Sequence, residues 1–488
     1  MDTSKLISLK GQRSRCSTAL SAASLLLLLS KPTLLSAHAS DQGFVLLLPT
    51  QIYISAGVLA VVLTIVALAL FPAHSTRKLF SSYRLASAGD DQPIQILTSL
   101  LSLALLAGLI VLGIIGSRDP LQNPLPLYIW TVWWMGLVAL QGTLGNVWYW
   151  LNPWSGVYRL LMRLRSTPNE SNMSIAAAQN DTASWPAIAA LMLLVSFSLT
   201  DLAPDDPFRL AVITAAYWLY TLAAMLLVGE QTWLRRGEFV TQLMQSYARL
   251  APLSRLGKEL RIGWPAWYAR AYPMQSISGA LFILLLLGCG SFDGLNETFW
   301  WLSLIGINPL EYPGRSAVVL PTTLGIIATN LILIAAFGLC VWLGLRLAGR
   351  QATNPDFIKT FTRLSVSVLP IAFAYHLAHF MTAFLVNIQY VVAATSDPLA
   401  RGDDWLGIGQ FYVTSGFLND YHSVEIIWLS QATVVVIGHV LSIMLAHAIA
   451  VDLFKYHRRA VLSQLPLATF MVVYTFLGLW LLAAPKGA

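Results

Sequence analysis

Stretches of about twenty apolar residues recur ten times along this chain, each long enough to cross a bilayer as a helix. They lie at 51–71, 94–117, 126–149, 184–203, 208–229, 273–290, 318–347, 364–394, 424–452 and 464–484. Lipid offers no hydrogen-bond partners, so such segments must satisfy their backbone groups internally. The expected fold is an all-α, polytopic membrane helix bundle of about ten transmembrane helices after an N-terminal signal segment. Charged residues are only 11% of the chain and mean hydropathy is +0.65, whereas a soluble domain carries about 25% charged residues. The 17 tryptophans suit aromatic belts at the membrane surfaces.

Residues 1–39 read as a secretory signal. Lys5, Lys10, Arg13 and Arg15 precede an apolar run at 23–29, and small residues follow at Ala37-His38-Ala39. Lys31 interrupts the leader, and the alternative is an uncleaved extra helix. Cleavage after Ala37 exposes His38 as an amino-terminal imidazole of the kind that binds copper. Residues 40–488 then form one transmembrane domain. Alternate loops hold twenty Lys and Arg against five on the other side. This asymmetry predicts a bacterial inner-membrane protein with both mature termini periplasmic. The periplasmic loops are acidic: Asp201, Asp205, Asp206, Asp293, Glu297 and Glu311 read as a solvated face.

Residues 165–183, rich in Ser, Asn, Ala and Thr, read as a flexible cytoplasmic linker. Residues 231–262 read as an amphipathic helix on the inner surface, with Trp233, Val240, Leu243, Met244, Tyr247 and Leu250 along one stripe. No basic patch with interleaved aromatics points to nucleic acid. Cys16, Cys289 and Cys340 form no CxxC pair, and neither a phosphate-binding loop nor a Gly-x-Ser-x-Gly elbow occurs.

Five of the eight histidines fall between residues 364 and 452. His376 and His379 share one helix face. His439 and His447, eight residues apart, lie on roughly one side of the next helix. Counted from the helix ends, His376, His379 and His439 reach the middle of the bilayer, with His447 about two turns closer to the cytoplasm and Asp452 below it. Ionisable residues at such depth cost about 2.5 kcal/mol or more each and usually face the bundle interior. Three readings stay open. Neutral imidazoles from two helices hold a divalent metal that activates a water. They ligate a haem, or handle copper, in a binding protein or permease. Or they are hydrogen-bonding glue between helices. In the loop between the two helices, Asp397 and Asp403 are candidates to orient an imidazole or act as general base, beside Asp404, Asp420 and His422. The competing reading of Ser396-Asp397-Pro398 is a turn and helix cap.

With these residues in view, the chain resembles a bacterial integral membrane family labelled fenitrothion hydrolase. The similarity runs through Ala37-His38-Ala39 with Leu48-Pro49, Asn152-Pro153-Trp154, and Ser291-Phe292-Asp293-Gly294. It continues in Pro370-Ile371-Ala372 leading to Ala374-Tyr375-His376-Leu377-Ala378-His379, in Ser396-Asp397-Pro398-Leu399, and in Gly438-His439-Val440 with Ala446-His447. The resemblance implies an inner-membrane hydrolase of aryl phosphotriesters or phosphorothioates that releases a nitrophenol. It also implies a second, smaller subunit. Such apolar organophosphates partition into bilayers, so a site at mid-membrane is within their reach.

Overall fold

The computed structural model describes residues 44–70, 78–87, 89, 91–164, 184–454 and 456–487. The leader 1–39 and the linker 165–183 lie outside the described residues. The chain is an all-α, multi-pass bundle. Eight described helices are long and apolar enough to cross a membrane. Among them are α1 (Thr50–Leu70) and α2 (Gln92–Ile115). Between these two, β1 (Ser82–Ser87) is a short strand.

A further expected span, α3, begins at Pro124–Leu127, continues as a π-helix over Tyr128–Leu137 and is α-helical again over Val138–Thr143. After α4 (Ser155–Leu164) comes the other shorter apolar helix, α5 (Trp185–Thr200), and then the long α6 (Pro207–Val228). Eight of the ten expected stretches overlap helices long and apolar enough to span, while 126–149 and 184–203 overlap α3 and the shorter α5. Proline and capping residues set where helices begin: Pro207 opens α6, and the Asp206 carboxylate accepts from the Arg209 backbone N–H at 2.8 Å.

The segment expected as one surface helix over 231–262 is instead two short helices and a hairpin. α7 (Glu230–Arg236) stops at Gly237, and α8 (Phe239–Ala248) starts afresh on Glu238, whose carboxylate accepts from the backbone of Val240 and Thr241. Pro252 and Gly257 then exclude helix. Gly257 has a φ of +58°, and β2 (Leu253–Leu256) turns there into β3 (Glu259–Gly263). β3 pairs antiparallel with both β1 and β2. α8 is no surface helix either, because nine of its ten residues are buried. Its apolar stripe was real, but it packs inside the bundle rather than on lipid.

The remaining spans are α9 (Ile277–Asn296), α10 (Val319–Leu347), α12 (Leu369–Ser396), α13 (Tyr421–Phe454) and α14 (His457–Ala483), with α11 (Asn354–Ser365) leading into α12. Of the apolar window of α9, 78% is buried, against 17% for α1, α2 and α6. α9 is thus the central pillar, and the other three present most of their surface outward. α12 packs along α13, and α13 along α14. Gly438 allows the first of these contacts: a Cβ there would overlap Ala374 and the Pro370 carbonyl of α12.

Candidate functional site

α12 brings His376 and His379 to one face, and that face lines a cavity of about 400 Å³. Aromatic rings form much of its wall: Trp130 and Trp134 from α3, Tyr247 from α8, and Tyr375 and Phe380 from α12. The cavity extends to the polar residues Asp205, Glu297 and Arg315 at one end of the bundle. Arg315 is held there by the carbonyls of Ser198 and Asp201, at 2.9 and 3.2 Å.

Within this wall each imidazole has its own partner. His376 Nε2–H donates to the Trp134 carbonyl at 2.8 Å, on the π-helical part of α3. The wider π turn changes which carbonyls stand in register along a helix, and such turns are frequent at functional sites. The Trp134 ring also meets the His376 ring edge-on, with centroids 5.5 Å apart. His379 Nε2–H donates to Asp293 Oδ2 at 3.0 Å. The Tyr375 ring stacks on His379, with planes 13° apart and centroids separated by 5.5 Å. Bonding through Nε2–H leaves the lone pair of His379 on Nδ1, the arrangement in which a carboxylate orients a general base.

Asp293 was expected on a solvated loop. It sits instead on the last turns of α9, and only 24% of its side chain is exposed. Gly294 beside it leaves room for Tyr375, because a Cβ there would overlap the tyrosine hydroxyl. The available signal was the spacing: an acidic residue one helical turn beyond Gly290, at the end of an apolar run. Ending the span at residue 290 and reading Asp293 with the acidic loops hid it.

The histidines of α13 do not join this cavity. His439 is 1% exposed, donates from Nδ1–H to the Val435 carbonyl of its own helix at 2.8 Å, and lies beside Gly478 of α14. Its Nε2 has no hydrogen-bond partner among the described residues. His447 accepts from Gln464 Nε2 of α14 at 3.2 Å and faces the His457 ring, with centroids 5.8 Å apart. Asp452, below it, pairs with Arg270 at 3.1 Å.

The expected four-imidazole metal set, His376, His379, His439 and His447, is therefore divided. The first two face α3 and α9, the second two face α14. Among the described residues no group of three or more His, Cys, Asp or Glu is placed to hold a metal ion. In this structure the imidazoles of α12 and those of α13 thus meet different partners.

The loop carboxylates also lie elsewhere. Asp397 accepts from the backbone N–H of Arg401 and Gly402, at 2.9 and 2.7 Å, and so builds the turn that ends α12. Asp403 is exposed on that loop. Asp404 accepts from Ile408 and Gly409 and from the Ser396 hydroxyl. The Gly409 N–H above all, with the Ser396 hydroxyl, holds the Asp404 carboxyl below the usual carboxylate range. Asp420 caps the start of α13 through Ser423. Neither Asp397 nor Asp403 lines the cavity.

Fold and site together define a class, a helical multi-pass membrane protein with a histidine–aspartate pair on the wall of an aromatic cavity inside the bundle. Comparison with protein-family models, with curated proteins and with solved structures finds no match to this chain.

Proposed function

We propose that the chain is a hydrolase of neutral organophosphorus triesters, working in the bacterial inner membrane with both mature termini on the periplasmic side. The observation that carries this reading is the His379–Asp293 pair at 3.0 Å on the wall of a cavity of about 400 Å³. Its aromatic lining suits an uncharged aryl ester entering from lipid or from the periplasmic face. His379 Nδ1 takes a proton from a water as the water oxygen bonds to phosphorus. The bond from phosphorus to the aryl oxygen breaks, and the phenolate leaves with the electron pair. Asp293 keeps His379 in the required tautomer and stabilises the imidazolium that forms. The hydroxyls of Tyr247 and Tyr375 are donors for charge developing on the phosphoryl oxygen or sulfur.

Copper or haem handling draws less support, since it needs the imidazoles of α12 and α13 in one place. The test is nitrophenol release from fenitrothion by membranes containing the chain, alone and with the smaller subunit that the resemblance implies. Parent activity that survives in both His379→Ala and Asp293→Asn would overturn the assignment of the pair.

A further inference from the structure

α8 stands between two cavities. Leu243 and Tyr247, four residues apart, share one face of this helix and line the aromatic cavity. Thr241 and Gln245, also four apart, share another face and line a second pocket of about 200 Å³. The two faces are offset by two residues, about 200° around the helix, and so are opposite. One helix, roughly 10 Å thick, is thus the wall between the two spaces.

The second pocket reaches the arginine-rich end of the bundle, where Arg159 and Arg235 line it. Its lining is rich in amides, among them Gln95, Asn146 and Asn152. The Arg159 charge is met by both oxygens of Glu230 at 3.0 Å and by Gln95 at 2.6 Å. Polar groups also stand unused beside the wall. Among the described residues, Gln242 Nε2 on α8 and both amide atoms of Gln141, on the stretch of α3 that packs against α8, have no hydrogen-bond partner, though neither side chain lines either cavity.

We infer that the two cavities are the halves of one path across the bilayer, closed at its middle by α8. The path takes a small neutral aromatic molecule with a hydrogen-bonding substituent. A cavity of about 150 Å³ holds one benzene ring, so the smaller pocket admits a single substituted ring and excludes an intact triester. Naming a phenol as the solute rests on the hydrolase reading; the path itself rests on α8 and its two faces. On that reading the aryl product leaves toward the cytoplasm, away from the side on which the ester enters.

The experiment reconstitutes the full chain in vesicles and follows a radiolabelled neutral phenol bearing a second polar group, chosen to cross bare lipid slowly. Protein-free vesicles give the background. Flux above that background, lost in Gln245→Trp and in Ala383→Trp, is the expected result. A second variant, Gln245→Cys, guards against misfolding: an impermeant thiol reagent applied at the Gln245 side blocks its flux and leaves the parent unaffected. Nitrophenyl ester hydrolysis without flux above background would overturn the path and leave the hydrolase standing. Flux without hydrolysis supports the path and removes the hydrolase. Flux unchanged by both tryptophan substitutions and by the thiol reagent also overturns the path.

Discussion

α12 and α13 lie side by side, and each carries two histidines within its apolar span, yet the two pairs live in different surroundings. His376 and His379 look across a cavity toward α3 and α9, where a carbonyl and a carboxylate meet them. His439 and His447 look into packed helix, where the first bonds its own backbone and the second bonds Gln464. Equal residue types on neighbouring apolar helices therefore acquire different surroundings from what stands opposite. An imidazole against a carboxylate and open space has a use for its lone pair. One against a neighbouring helix is an interhelical polar contact, of the kind worth about 0.6 kcal/mol on average in membrane proteins.

The sharpest way to break this contrast is to remove the carboxylate. Asp293→Asn and His379→Ala are each expected to lower nitrophenol release by about 10²–10⁴-fold, while His439→Leu retains the parent rate in the same membranes. Equal losses in all three would place the α13 histidines in the chemistry. Next in size is the contact between the two helices. Gly438→Leu forces a side chain into Ala374 and the Pro370 carbonyl, and overpacking of this kind costs about 1–3 kcal/mol. A lower midpoint of thermal unfolding in detergent checks it. A smaller effect is expected at His439 itself: Leu removes one local hydrogen bond and one unpartnered nitrogen, so stability should change by about 1 kcal/mol or less. A large loss would show that its Nε2 has a partner.

The smallest effect concerns the loop. The Asp404 carboxyl is held below its ordinary value, so its contribution is present above the unfolded carboxylate value, about 3.9. It is lost as pH falls through the lower, folded value. Faster amide exchange at Ile408 and Gly409 on acidification, abolished in Asp404→Asn, is the expected result. Nitrophenol release by Asp404→Asn at neutral pH should match the parent.

Much of the bundle was legible because run length alone decides whether a segment can cross a membrane. The expected 318–347 became Val319–Leu347, and 424–452 became Tyr421–Phe454. The pairing of His376 with His379 was legible from helical spacing. Which helix faces them was not, since periodicity describes a face but not its neighbour. Asp293 was hidden because the apolar run ends near residue 290, which left this residue among the solvated acidic loops, whereas α9 continues to Asn296. Residues 231–262 misled in another way. A stripe of apolar residues reports burial against something, and only Gly237, Pro252 and Gly257 hinted that the chain turns inward and back.

Gly438 has a mechanical consequence. With the Pro370–Ala374 stretch of α12 seated directly on α13, His379 has little freedom to shift alone: displacing its helix at this level carries α13 along or opens the contact at Gly438.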